Sequence, residues 1–222
     1  MAVAPLNKFL TIAVPVAPGE QTVYTTPVGV SAIILYAQVS NVGVNTYPTV
    51  SLTHSRKSTS ARTAGNTRNI RVIKDVEIPP NDAVVIIDGR LVLERTAVVT
   101  DSVIIEGTQA GIVTITNCVY DNNTGITTIT TLTPHNFNAN DEVTMSGLAF
   151  TCSGSFGLTT SIFPAPQQSF TVDSIIGSVG TSKTFVTNSG VVVGIAHTYV
   201  SGGHVAPLQM EFICSILENS VS

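Results

Sequence analysis

The chain has 222 residues, 43% of them hydrophobic and only 11% charged, with a net charge of −4. Abundant Val and Ile can bury enough surface to offset ordering entropy, which excludes a disordered chain, and the length suits two ordinary β domains. No apolar run reaches the ~18 residues of a membrane helix and no broad basic surface is present, so neither a membrane nor a nucleic-acid partner is expected.

Lys8 precedes an apolar run over 9–17, but Thr11 and Pro15 break it, so a soluble protein made inside the cell is expected rather than a secreted one. Short Val, Ile and Thr runs punctuated by Gly, Pro, Asn and Asp then recur without helical periodicity, which predicts an all-β fold. Residues 30–39 (VSAIILYAQV) are apolar on both faces, as in a central strand covered on each side. The stretch 54–69 (HSRKSTSARTAGNTRN) reads as a solvated hairpin tip. Its Arg56, Lys57, Arg62 and Arg68 are the candidate partner-contact residues, because arginine forks grip the carboxylates of an acidic neighbour. Without aromatics the loop lacks stacking platforms for single-stranded nucleic acid. Residues 70–78 alternate, with Ile70, Val72, Val76 and Ile78 on one face, and Pro79-Pro80-Asn81-Asp82 turns the chain. Strands at 83–87 and 91–94 flank Asp88-Gly89-Arg90, a hairpin signal.

Beyond 109–111 the texture becomes Thr-rich. Strands at 112–120 and 126–132 enclose the turn 121–125, and further strands are expected at 141–146, 169–173, 183–187 and 191–199, followed by a flexible joint at Gly202-Gly203. The closing run 208–218 sets Met210, Phe212, Cys214 and Ile216 on one face against Glu211, Ser215 and Glu218. It regains the aliphatic and acidic texture of 101–107, and a lone strand outside its sheet would expose backbone and an apolar face. The expected organisation is therefore a jelly-roll-like β-sandwich of 1–109 plus 205–222, with a small β domain of 110–204 inserted before its last strand. Charge divides similarly: nine of the ten basic residues lie at or before Arg95, and Lys183 alone follows.

The stretches LNKFLTIAVPVAPGEQTVYTTPVGVSAIILYAQV (6–39), IPPNDAVVIIDGRLVL (78–93) and SILE (215–218) resemble small virion structural proteins of marine cyanobacterial phages with contractile tails. The insert is similar to a β module of other structural proteins of those phages, through YDNNTGITTITT, PHNFNANDEVTMSGLAFTC, SFTVDSI and AHTYVSGG. This resemblance implies a virion location and an accessory, capsid-decoration type of subunit. Its partners would be other capsid or tail subunits and further copies of itself. A tail, neck or baseplate component, or a receptor- or glycan-binding module, is the alternative. The chain has no Trp and 6% aromatics, which disfavours a sugar-binding face.

Motifs that carry chemistry do not appear: there is no GxSxG, HExxH, phosphate-binding glycine loop or dinucleotide fingerprint. His54, His135, His197 and His204 share no metal-ligand spacing, and Cys118, Cys152 and Cys214 read as small buried hydrophobes. Asp121-x-Asn123-x-Gly125 reads as a hairpin turn, since a calcium loop needs a later glycine and a distal glutamate. No enzyme activity, cofactor or metal is expected.

Overall fold

The computed structural model describes residues 7–43, 46–58, 66–154, 157–159, 168–191 and 195–220. Among these, seventeen strands, numbered β1 to β17 in chain order, account for all the regular structure. They fall into two compact units, Met1–Thr108 with Gln209–Ser222, and Gln109–Leu208.

The first unit contains β1 (Asn7–Pro15), β2 (Gly19–Thr25), β3 (Val30–Asn41), β4 (Thr49–Ser58), β5 (Thr67–Glu77), β6 (Ala83–Glu94), β7 (Val99–Thr108) and β17 (Met210–Ser220). They form two antiparallel four-stranded sheets, in the orders β1-β17-β3-β6 and β2-β7-β4-β5. Counted within the unit, those orders are first-eighth-third-sixth and second-seventh-fourth-fifth, which is the interleaved Greek-key layout of a jelly roll. Alternation along each strand sends one row inward. Ile34, Val39, Leu93, Phe212 and Ile216 from one sheet meet Val50, Leu52, Val103 and Ile105 from the other in a single buried cluster.

Four local expectations are corrected here. First, Asp88-Gly89-Arg90 is a bulge and not a hairpin: Ile34 pairs with Leu91 and Tyr36 with Asp88, leaving Leu35 opposite two residues. Gly89, at φ +150°, absorbs the extra residue, and a continuous β6 keeps its ladder with β3. Second, the loop 54–69 is strand at both ends, because β4 continues to Ser58 and β5 begins at Thr67. Third, the inward row of β5 changes phase, so that Ile73 and Val76 pack on the core while Ile70 and Val72 stay exposed. Asp75, at φ +50°, forms that irregularity, and its N–H donates to Ser51 Oγ at 2.9 Å. Fourth, Glu218 points inward with Met210 to Ile216 and is buried, accepting a 2.8 Å hydrogen bond from Tyr24 O–H. Burial, with Glu218 beside it, raises the Tyr24 pKa.

The second unit contains β8 (Val113–Tyr120), β9 (Ile126–Thr131), β10 (Glu142–Ser146), β11 (Ala149–Gly154), β12 (Gly157–Thr159), β13 (Ser169–Ile176), β14 (Thr184–Asn188), β15 (Ile195–Ser201) and β16 (His204–Pro207). Pairings run β8-β16-β10-β13-β14-β9 and return to β8, closing a six-stranded barrel. Closure removes sheet edges, which suits short strands with little area each. Ile129, Phe137, Val143, Val172, Phe185 and Val205 fill it.

Strand β15 leaves the barrel by pairing with β11, while β16 pairs with β10 inside it. The corner is built from Gly147 (φ +69°), Gly202 (φ +76°) and Gly203 (φ +104°). A side chain at Gly202 would meet the Gly147 carbonyl oxygen at 2.8 Å, so close backbone approach requires glycine there. The Gly202-Gly203 pair is thus a packed bend within this unit. His204–Pro207 belongs to the barrel, and the chain passes to the first unit after Leu208.

Candidate functional site

Strand β4 lies between β5 and β7, and its even-numbered residues from Val50 to Arg56 share the inward phase. On β7, Asp101 continues the inward row of Val103 and Ile105 and pairs with Arg56. A carboxylate in that row must find partners, because a buried charge left alone is costly. Arg56 supplies them: Nε donates to Oδ1 and Nη2 to Oδ2, each at 2.7 Å. The Glu94 N–H adds a 3.0 Å bond to Oδ2, and His54 Nε2 lies 3.3 Å from Oδ1. Arg56 Nη2 also reaches Glu94 Oε1, at 3.0 Å, on β6 of the facing sheet. The cluster therefore closes one end of the sandwich core and ties the two sheets together.

Asp101 is fully buried, whereas the Arg56 side chain is 41% exposed. Burial alone would push the Asp101 carboxyl up. The Arg56 hydrogen bonds, the Glu94 N–H and the His54 and Arg56 charges outweigh it and hold the carboxyl below the usual aspartate range. The hydrogen bond to Asp101 raises Arg56 in turn, against a smaller opposing effect of burial.

The four basic residues singled out in the sequence are thus not one patch. Arg56 is committed to Asp101 and Glu94. Lys57, the next residue along β4, is exposed on the opposite face of that sheet. Arg68, exposed on edge strand β5, is the register partner of Arg56. Arg62 lies outside the described residues. Sequence reasoning missed Asp101 and Glu94, although Asp101-x-Val103-x-Ile105 carries the signal: an acid in phase with a core row implies a buried partner.

In the second unit, Cys152 on β11 pairs with His197 on β15, with Sγ 2.6 Å from Nδ1. Tyr120 packs edge-on to that imidazole at 5.3 Å between ring centroids. Burial lowers the His197 pKa. A thiol beside an imidazole has the makings of a nucleophile and base, but Cys152 is fully buried, the setting of a structural cysteine. The contact joins residues distant in sequence, and only the strand register reveals it. His135 is also buried: its Nδ1 accepts from the Phe137 N–H at 3.0 Å, and its ring stacks on Phe137 at 4.9 Å. The Asp121 turn is a local Asx arrangement, with the Asn123 N–H and the Thr124 hydroxyl donating to the carboxylate at 2.9 and 2.8 Å. Among the described residues no three His, Cys, Asp or Glu side chains gather as metal ligands, and no helix is long and apolar enough to cross a membrane.

No protein-family model and no curated protein matches the chain. Among solved structures, the chain is similar to the protein of the T13 particle of IBDV, with 9% identity, 98% of this chain and 39% of that one covered, and a TM-score of 0.33. The VP2 subviral particle of infectious bursal disease virus gives 7% identity, 98% and 41% coverage and a TM-score of 0.29. The STIV MCP gives 10% identity, 99% and 97% coverage and a TM-score of 0.22. The chain spans about two fifths of the length of the infectious bursal disease virus proteins it matches. With TM-scores this low, the strand order of the two sheets is what establishes the jelly roll.

Proposed function

We propose that this chain is a non-enzymatic virion structural protein, a surface accessory subunit of the capsid-decoration type that binds other virion subunits. The observation that carries the reading is the jelly roll with a closed barrel inserted between its last two strands, in a chain whose catalytic-looking contact is sealed in a core. Jelly rolls are frequent in capsid and lectin domains, so the fold fits the role without dictating it. The sequence resemblance to phage virion proteins adds to it. In this reading the jelly roll is the attachment domain, and Lys57, Arg62 and Arg68 contact acidic groups of a neighbouring subunit, while Arg56 serves the fold.

The test is rebinding of the purified chain to particles that lack it. The intact chain should bind with an affinity that falls with added salt, and Lys57→Ser with Arg68→Ser should weaken binding while leaving the melting temperature in place. Binding that is indifferent to salt and to both substitutions would remove these cations from the contact. An intact chain that fails to bind would count against the subunit role itself.

A further inference from the structure

The outer face of the β1-β17-β3-β6 sheet carries two rows rich in exposed apolar side chains. Leu10, Ile12 and Val14 pack inward from β1, so Phe9, Thr11 and Ala13 face out. Pairing then aligns Phe9, Leu217, Ile33 and Val92 in one row across all four strands. Two rows away, Ala13, Ile213, Gln38 and Val85 form another. Exposure is high for such side chains, at 74% for Phe9, 57% for Val92, 47% for Val85 and 40% for Ile213. Between these two rows runs a more polar one, Thr11, Ser215, Tyr36 and Asp88. Asp88 and Arg90 stand on edge strand β6, and Glu211 stands one row beyond Ala13 and Ile213.

Relief on this face is self-matching. Phe9 is a knob, and Ala13, Pro15, Ser40, Glu211 and Ile213 line a shallow hollow. Knob and hollow lie on either side of Thr11, with Phe9 and Ala13 two residues from it in opposite directions along β1. A two-fold axis in the plane of the face, crossing the strands over Thr11, reverses strand direction. It sets each Phe9 above the other copy's hollow, a closed isologous contact that an unrelated partner would have no reason to match. Four strands about 4.8 Å apart and about 30 Å long present a flat area of about 600 Å². Two copies would bury up to about 1,200 Å², the lower end of specific interfaces.

We propose that the outer face of the β1-β17-β3-β6 sheet is the interface of a two-fold dimer of this chain, with Phe9 of each copy seated in the Ala13–Ile213 hollow of the other. Sheets then stack about 10 Å apart, as in an aligned sandwich. The proposal does not depend on the virion role.

Sedimentation velocity on the full chain over the micromolar range tests it. The dimer is expected, and Phe9→Asp or Ile213→Glu should weaken association about tenfold or more with an unchanged circular dichroism spectrum. Placement is tested with Thr11→Cys and a bismaleimide that spans about 10 Å. The native Cys118, Cys152 and Cys214 are buried, so the new thiol is the reactive one. Thr11→Cys should yield a covalent dimer, and Thr67→Cys on β5 should not. A monomer throughout the range would overturn the proposal. So would a dimer that survives both substitutions and fails to cross-link through position 11. A monomer that loses particle binding on Phe9→Asp would assign the face to another subunit, and the second-copy reading would fall.

Discussion

Arg56 and Asp101 face each other across β4 and β7 as a two-pronged ion pair, with both N–H···O distances 2.7 Å and the carboxylate sealed from solvent. Removing one member of such a pair costs more than the pair contributes, because the other is left charged and unmatched. Arg56→Ser should therefore lower stability by about 2–3 kcal/mol in urea unfolding, since Asp101 keeps its burial and loses its fork. Lys57→Ser and Arg68→Ser, on exposed positions, should each stay within about 0.5 kcal/mol of the native chain. Equal effects for the three would mean that Arg56 is a surface residue like the others.

The same cluster sets an acid limit. Asp101 has a folded pKa below its unfolded value of about 3.9, so the unfolded chain binds the proton first as pH falls. Its contribution is complete above the unfolded value and is lost as pH drops through the folded one. Asp101→Asn should lower stability at pH 7 and flatten the remaining loss below about pH 4, read from urea midpoints over a pH series.

A second window belongs to the barrel. Burial lowers the pKa of both His135 and His197, so each is neutral in the fold when the unfolded chain already takes up protons. Stability from these groups is complete above the unfolded value of about 6.5 and is lost as pH falls below it. Protonating His135 at Nδ1 would also forfeit the acceptor of the Phe137 N–H. Hydrogen-exchange protection factors, corrected for the intrinsic rate at each pH, should fall in the second unit between about pH 6.5 and 5, while the first unit holds until Asp101 titrates. Simultaneous loosening of both units would contradict this.

Sequence patterning carried the all-β class and most strands, because Val/Ile/Thr alternation and Gly/Pro/Asn turns are local signals. What it missed depends on pairing. Asp88-Gly89-Arg90 looks like a hairpin until β3 is seen to run the full length of β6, and Gly202-Gly203 looks like a joint until Gly147 is packed against it. The basic stretch looked like a solvated tip because nothing local says that Arg56 shares an inward row with Leu52. The Cys152–His197 contact needed the β11–β15 register. Strand β1 is hidden for another reason: Thr11 and Pro15 interrupt the apolar run after Lys8, and the alternation of Leu10, Ile12 and Val14 shows only once β17 is paired beside it.

Gly125 tests the barrel locally. It has φ +76°, and a side chain there would meet the Gly190 carbonyl carbon at 2.6 Å, a backbone atom that cannot swing aside. Gly125→Ala should cost about 2–3 kcal/mol from strain and clash together, whereas Gly180→Ala, also at positive φ but in open space, should cost about 1 kcal/mol. Similar costs at the two sites would show that the Gly125–Gly190 approach relaxes freely.

The insertion itself predicts an independent jelly roll. At the end of β7, Gly107 bridges to Pro18, and Val16, two residues before Pro18, donates its N–H to the Met210 carbonyl at 2.9 Å, so the points where the chain leaves and rejoins the first unit are near each other. Removing 109–208 and joining Thr108 to Gln209 through a short turn should leave a cooperatively unfolding protein, because loop closure over so short a gap costs little. A chain that shows no cooperative transition would mean that the first unit needs the barrel to fold.

The virion role is tested most directly by a cryo-EM map of the intact particle together with peptide identification from gradient-purified particles. The chain should be present in many copies per particle, with density for the two four-stranded sheets contacting neighbouring subunits at the particle surface. Purified particles that contain no peptide of this chain, and a map with no density for its jelly roll, would contradict the account.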